Sequence, residues 1–156
     1  MELLAPIIEK CTNIAVSGTL EQRVSVGVAV LTLASGLAHF LQGIIAPKSC
    51  AQMCLEPWFM TAAGLWMTGS GLVFLHDEQL GFPFMASAMG GAAATALLSP
   101  MKPGVVFSLG SLAAQAYTTK LPQDSSYFGL TVGMFTFGIL GRVLLNHSGS
   151  SAAKED

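Results

Sequence analysis

The sequence predicts an all-α fold: a compact integral-membrane bundle of five transmembrane helices, with four as the alternative, preceded by a short interfacial amphipathic helix. Three observations predict it. Charged residues make up 10% of the chain and apolar residues 52%, whereas soluble globular domains carry roughly 25% charge. The charges stand at the ends of long uncharged runs. Those runs have the length a helix needs to cross about 30 Å of hydrocarbon at about 1.5 Å per residue.

Taken in order, residues 2–15 ("ELLAPIIEKCTNIA") put Leu3, Leu4, Ile7, Ile8, Cys11 and Ile14 at helical spacing, with the polar residues largely on the other face. That pattern predicts a helix lying in the membrane interface over residues 1–19, a terminal arm in water being the alternative. Thr19, with Gln22 three residues on, predicts a capping box that opens the next helix.

The bundle then occupies residues 20–146. Its first span is the uncharged run Val24–Ala46, and its second is Pro57–Leu75, which ends at His76, Asp77 and Glu78. The third, Phe82–Ser99, is built from small residues. "SPMKPG" separates it from the fourth, Gly104–Thr119, because two prolines and a glycine break a helix. The fifth covers 127–145, with Arg142 expected to snorkel to the interface. Runs three and four are short, which keeps four spans open as a count. Residues 147–156 are small and polar and predict a disordered tail. The first run begins too late and is too long for a signal peptide. Basic residues divide three against four between the two sides, so the positive-inside rule assigns no orientation.

Lipid tails are as apolar as leucine, so membrane helices associate through close contact of small residues and a few hydrogen bonds. Each run carries a stripe suited to that. The packing positions are Gly36 and Gly43 on the first, Gly64 and Gly71 on the second, Gly91 on the third, and the GxxxG pair Gly129 and Gly133 on the fifth.

His39 interrupts the apolar stretch "LASGLAHFLQG" and falls on the inner stripe of the first run. An ionisable residue inside a span usually faces the bundle interior. Two readings stay open: a neutral imidazole bonded to the hydroxyl of Ser35 one turn back, or an acid, base or ligand-binding group. Gln115 is the other strongly polar interior residue. If the first and fourth runs touch, Ser35, His39 and Gln115 line one polar pocket.

Other chemistry is disfavoured. Cys50 and Cys54 in "CAQMC" are four apart, not the CxxC of dithiol oxidoreductases. His76, Asp77 and Glu78 point in different directions and have no second cluster to complete a metal site, so no metal is expected. The chain has no GxSxG, no HExxH and no glycine-rich phosphate loop, and no cofactor is implied. A net charge of −2 offers no basic face to nucleic acid.

The order of features resembles the DoxX-like group of small polytopic membrane proteins. The similar parts are "EQRVSVGVAVLTLASGLAHFLQG", "TAAGLWMTGSGLVFL" and "MASAMGGAAATALLSP", within roughly residues 21–120. That group is usually built of four spans, from which a fifth run departs. The resemblance implies an association with membrane redox complexes or an accessory role, and it implies no catalytic residue. The expected function is therefore a small membrane accessory protein that binds or stabilises another membrane component. The alternative is a membrane-embedded enzyme acting on a hydrophobic metabolite, with His39 as acid or base. Expected partners are the lipid bilayer and either another membrane protein or an apolar small molecule.

Overall fold

The computed structural model describes residues 4–51, 54–99, 102–121 and 124–145, which form seven α-helices and no strand. The predicted tail over 147–156 lies outside the described residues. The helices are α1 (Ala5–Ser17), α2 (Leu20–Ile45), α3 (Pro47–Cys50), α4 (Pro57–His76), α5 (Glu78–Leu98), α6 (Pro103–Thr119) and α7 (Ser125–Leu145). Four of them, α2, α4, α5 and α7, are long and apolar enough to cross a membrane.

Local chemistry sets the boundaries. The capping box at the start of α2 is formed: Gln22 N–H donates to Thr19 Oγ1 and Thr19 N–H to Gln22 Oε1. Asp77 ends α4 and caps α5 through Leu80 N–H, 2.9 Å away, and Asp124 caps α7 through Tyr127 N–H. Prolines open α1, α3, α4 and α6, where a missing N–H costs nothing.

α5 is the hub. Two-thirds (67%) of its apolar window is buried, against 11% for α7, and it packs against α4, α6 and α7, while α2 packs against α4 and α6. Glycines permit the closest approaches. A Cβ on Gly36 would lie 2.6 Å from Thr68 N and 2.8 Å from Gly64 O, and one on Gly71 would lie 3.0 Å from Ala29 O. Gly43 sits against Thr61 and Pro57, and Gly64 against the Phe40 backbone. Gly91 of α5 lies beside Gly138 O, and Gly138 lies against the Ser87 carbonyl.

The predicted stripe of α7 is a correction. Gly129 and Gly133 have nothing within 4 Å of an added Cβ. Their face of α7 looks outward, and the glycine that seats the helix is Gly138, five residues further on. Most intramembrane hydroxyls turn back on their own helix: Thr32, Thr61, Thr68, Ser70, Thr95 and Ser108 each donate to the carbonyl four residues back.

The pairings Gly90 with Phe135, Gly91 with Gly138 and Thr95 with Arg142 ascend together along both chains. α5 and α7 are therefore parallel, with α6 running back in the opposite direction in the chain between them. At one end, Phe74, Phe82, Met85 and Leu121 form an apolar cluster, against which Ile7, Cys11 and Ile14 of α1 pack. Lys10 Nζ donates to Leu75 O at 3.1 Å and pairs with Glu78 at 3.5 Å, so the polar triplet after α4 is where α1 docks. Leu4 and Ile8, expected on the same face, remain exposed.

Candidate functional site

The other end of the bundle is hollow, and α5 makes it so. Ser87, Ala88, Gly91, Ala92 and Thr95 fall on one face of that helix, and none is long enough to fill the space above it. Over this floor lies a cavity of about 530 Å³, within the roughly 300–1,000 Å³ of pockets that enclose small molecules. Phe59, Met60, Trp66 and Met67 of α4 and Phe137 of α7 form its walls, with Phe107 and Ser108 of α6 beside them, and it opens sideways between the exposed rings of Trp66, Phe107 and Phe137. Trp66 stands 6.5 Å from Phe137, ring to ring, so α4 and α7 approach here through side chains and leave their backbones apart.

Arg142 is the charged group of this cavity. It is 1% exposed, and three features hold its guanidinium. Nε donates to Thr95 Oγ1 at 3.0 Å, Nη2 donates to the Cys54 carbonyl at 3.1 Å, and the Phe59 ring lies 5.9 Å away. The carbonyl is presented by a tight turn in which Cys54 takes φ 53°, a left-handed conformation uncommon for a residue with a Cβ. Nη1 has no partner. Among the described residues no carboxylate comes within 4.0 Å of it, the one ion pair being Lys10 with Glu78. Arg142 does not extend to the outer surface: its side chain turns inward to Thr95 and to the turn at Cys54 at this end of the bundle.

His39 and Ser35 line the same cavity from α2, with Thr32 one turn further in. His39 Nδ1 is buried and unpartnered, so that nitrogen does not bond to Ser35. Gln115 is not with them. α6 runs antiparallel to α2, and Gln115 sits four residues before the α6 terminus at the packed end, beside Leu112 and Ala116 of the apolar cluster. It is fully buried with both amide atoms unpartnered, as are Ser25 Oγ and Tyr127 Oη. The predicted trio is thus a pair plus a residue at the opposite end.

Sequence reasoning missed Arg142, Thr95 and the Cys54 carbonyl. A signal for the first existed: 142 lies inside the run 127–145, and the rule that singled out His39 applies equally to an arginine there. The two other groups come from 47 and 88 residues away, a separation no local pattern reveals. Cys50 is buried and Cys54 exposed, and neither is in a disulfide. Burial pushes the Cys50 thiol above its ordinary pKa, which makes it a small apolar side chain at neutral pH. No group of three or more His, Cys, Asp or Glu among the described residues could hold a metal ion.

No protein-family model matches the chain, and no similar curated protein or solved structure is found.

Proposed function

We propose that this is a five-span integral membrane accessory protein that binds an apolar small molecule inside its bundle. The cavity carries the reading: its walls are mainly apolar side chains, one charged group, Arg142, stands at one end, and its size suits a small molecule.

The parallel arrangement of α5 and α7 supports five spans. If both cross the membrane, the chain between them must cross as well. α6 has 17 residues, about 26 Å at about 1.5 Å each, and the exposed Lys102 and Lys120 flank it at the two boundaries. α1 is proposed to lie at the interface, with Leu4, Ile8 and Val16 exposed beside the bundle and available to headgroups. The resemblance of residues 21–120 to DoxX-like proteins supports the accessory role.

The test is to purify the full chain in detergent and measure the intact particle, then extract it with organic solvent. A stoichiometric small molecule, released on denaturation, is the expected result. A particle with no such molecule, whose stability no apolar additive raises, would count against the cavity as a binding site.

A second reading, an enzyme using His39 as acid or base, draws on the unpartnered Nδ1 in the cavity wall. His39→Gln separates the two. Glutamine keeps a neutral donor and acceptor of similar reach but does not titrate near neutral pH. Binding and cellular function both survive under the accessory reading; retained binding with lost function establishes the enzyme.

A further inference from the structure

We propose that the ligand is a single-chain amphiphile with a carboxylate head, held by Arg142, with its chain along the wall of Trp66, Phe107 and Phe137. This inference rests on the cavity being a binding site, as proposed above, and names what binds there.

The argument starts from an imbalance. Arg142 brings a full positive charge into a site where no carboxylate among the described residues comes within 4.0 Å of it. An unpaired buried ion costs several kcal/mol even after relaxation, and two neutral acceptors with one aromatic ring offset only part of that. What they do achieve is orientation. With Nε bonded to Thr95 and Nη2 to the Cys54 carbonyl, the planar group is held in place and Nη1, unpartnered among the described residues, keeps its donors for a ligand. A guanidinium so held suits a carboxylate, the anion its charge and planar N–H donors match.

Position selects an amphiphile over a small anion. Arg142 is three residues from the end of α7, beside the turn that precedes α4. It therefore sits at the boundary end of the cavity, where a head group belongs. Away from it the walls are mainly apolar, with Trp66, Met67 and Phe137 deeper in the bundle and only small hydroxyls (Thr32, Ser35, Ser87) and His39 among them. A small hydrophilic anion would leave those walls uncovered. A phospholipid would bring two chains into a space of about 530 Å³ whose size suits one. A long-chain carboxylate satisfies the charge and the apolar walls together.

The experiment uses tryptophan, because Trp66 is in the wall and the exposed Trp58 can be removed. In the full-length Trp58→Phe protein in neutral detergent, a bromine-labelled long-chain fatty acid quenches Trp66 saturably. Its methyl ester, with the same chain and no charge, binds at least tenfold more weakly. Arg142→Gln abolishes that difference by weakening the acid alone, while Arg142→Lys retains part of it. Equal affinity of acid and ester in the protein with arginine overturns the head-group assignment and leaves the cavity as a plain apolar site. Absence of saturable quenching by either removes the cavity reading as well. A brominated phosphatidic acid that binds more tightly than the fatty acid overturns the single-chain assignment. Should Arg142→Gln fail to fold, the acid–ester comparison still decides.

Discussion

At the end of the bundle where α1 docks, Phe74, Phe82, Met85 and Leu121 close the interior, and α1 covers part of it with Ile7, Cys11 and Ile14. At the opposite end α5 turns toward the interior a face of serine, alanine, glycine and threonine, and the space above it stays open. The helices are the same ones at both ends; only the side-chain sizes along them change. α5 runs from "FPFM" at residues 82–85 to "AAATA" at 92–96. The bundle is thereby divided into an anchor and a container. Stability should be concentrated in the first and binding in the second.

Single truncations test that division most directly. Phe74→Ala removes a fully buried ring from the packed end, and the expected loss is about 3–5 kcal/mol. Phe59→Ala takes the same atoms from a half-buried ring on the cavity wall and should cost less than half as much, since part of its surface already lacks neighbours. Thermal unfolding in detergent compares the two. Equal losses would mean that the cavity end is as tightly packed as the other.

The seat of α7 comes next. Gly138 lies against the Ser87 carbonyl and Gly91 N, so Gly138→Leu should cost about 3 kcal/mol, the upper part of the range for overpacking, and loosen the wall that carries Arg142. Gly133→Leu should change stability by less than about 0.5 kcal/mol, as for a surface site, because nothing stands within 4 Å. A loss at Gly133 comparable to that at Gly138 would show that something outside this chain covers the outer face of α7.

That contrast also marks what the sequence could reveal. Membrane class, the run boundaries near Pro57 and His76, and the capping box at Thr19 and Gln22 are local properties, so they are legible in short windows. So is the presence of a small-residue stripe on a helix. Which neighbour a stripe meets is not local: Gly129 and Gly133 make the better motif on paper, but Gly138 is the residue that the position of α5 selects. Ser35 and His39 were found because both lie on one turn of one helix. Gln115 was misplaced because its level depends on α6 running antiparallel to α2. Arg142 could be seen as an intramembrane cation, yet its two acceptors become visible only when α5 and the turn before α4 are folded against it.

Arg142 should also set stability against binding at the container end. Without ligand, Arg142→Met exchanges an unpaired buried charge for an apolar side chain of comparable length, and such exchanges are often neutral or stabilising. The expected result is a gain on the order of 1 kcal/mol in ligand-free protein, reduced by the two hydrogen bonds it gives up. Added long-chain fatty acid should reverse the order of the two proteins, raising the unfolding temperature of the arginine form more than that of the variant. A variant less stable than its parent under ligand-free conditions would make Arg142 a structural brace of the anchor kind.

The smallest effect is expected where α1 meets the bundle. Lys10 is about one-third exposed, its pairing with Glu78 spans 3.5 Å, and both groups are open to screening, so the pair contributes on the order of 0.5 kcal/mol. Its bond to Leu75 O is the more specific contact, because that carbonyl is one of the last of α4 and has no partner within the helix. Lys10→Met keeps the aliphatic stem and removes both polar contacts. Global unfolding should shift by less than about 1 kcal/mol, while amide exchange across Ala5–Ser17 should accelerate severalfold, since α1 has no fully buried residue of its own to hold it down. High salt should reproduce only the part of this that comes from Glu78. If exchange in α1 is unchanged in Lys10→Met, then Ile7, Cys11 and Ile14 suffice to dock the helix, and the anchor end is held by apolar packing alone.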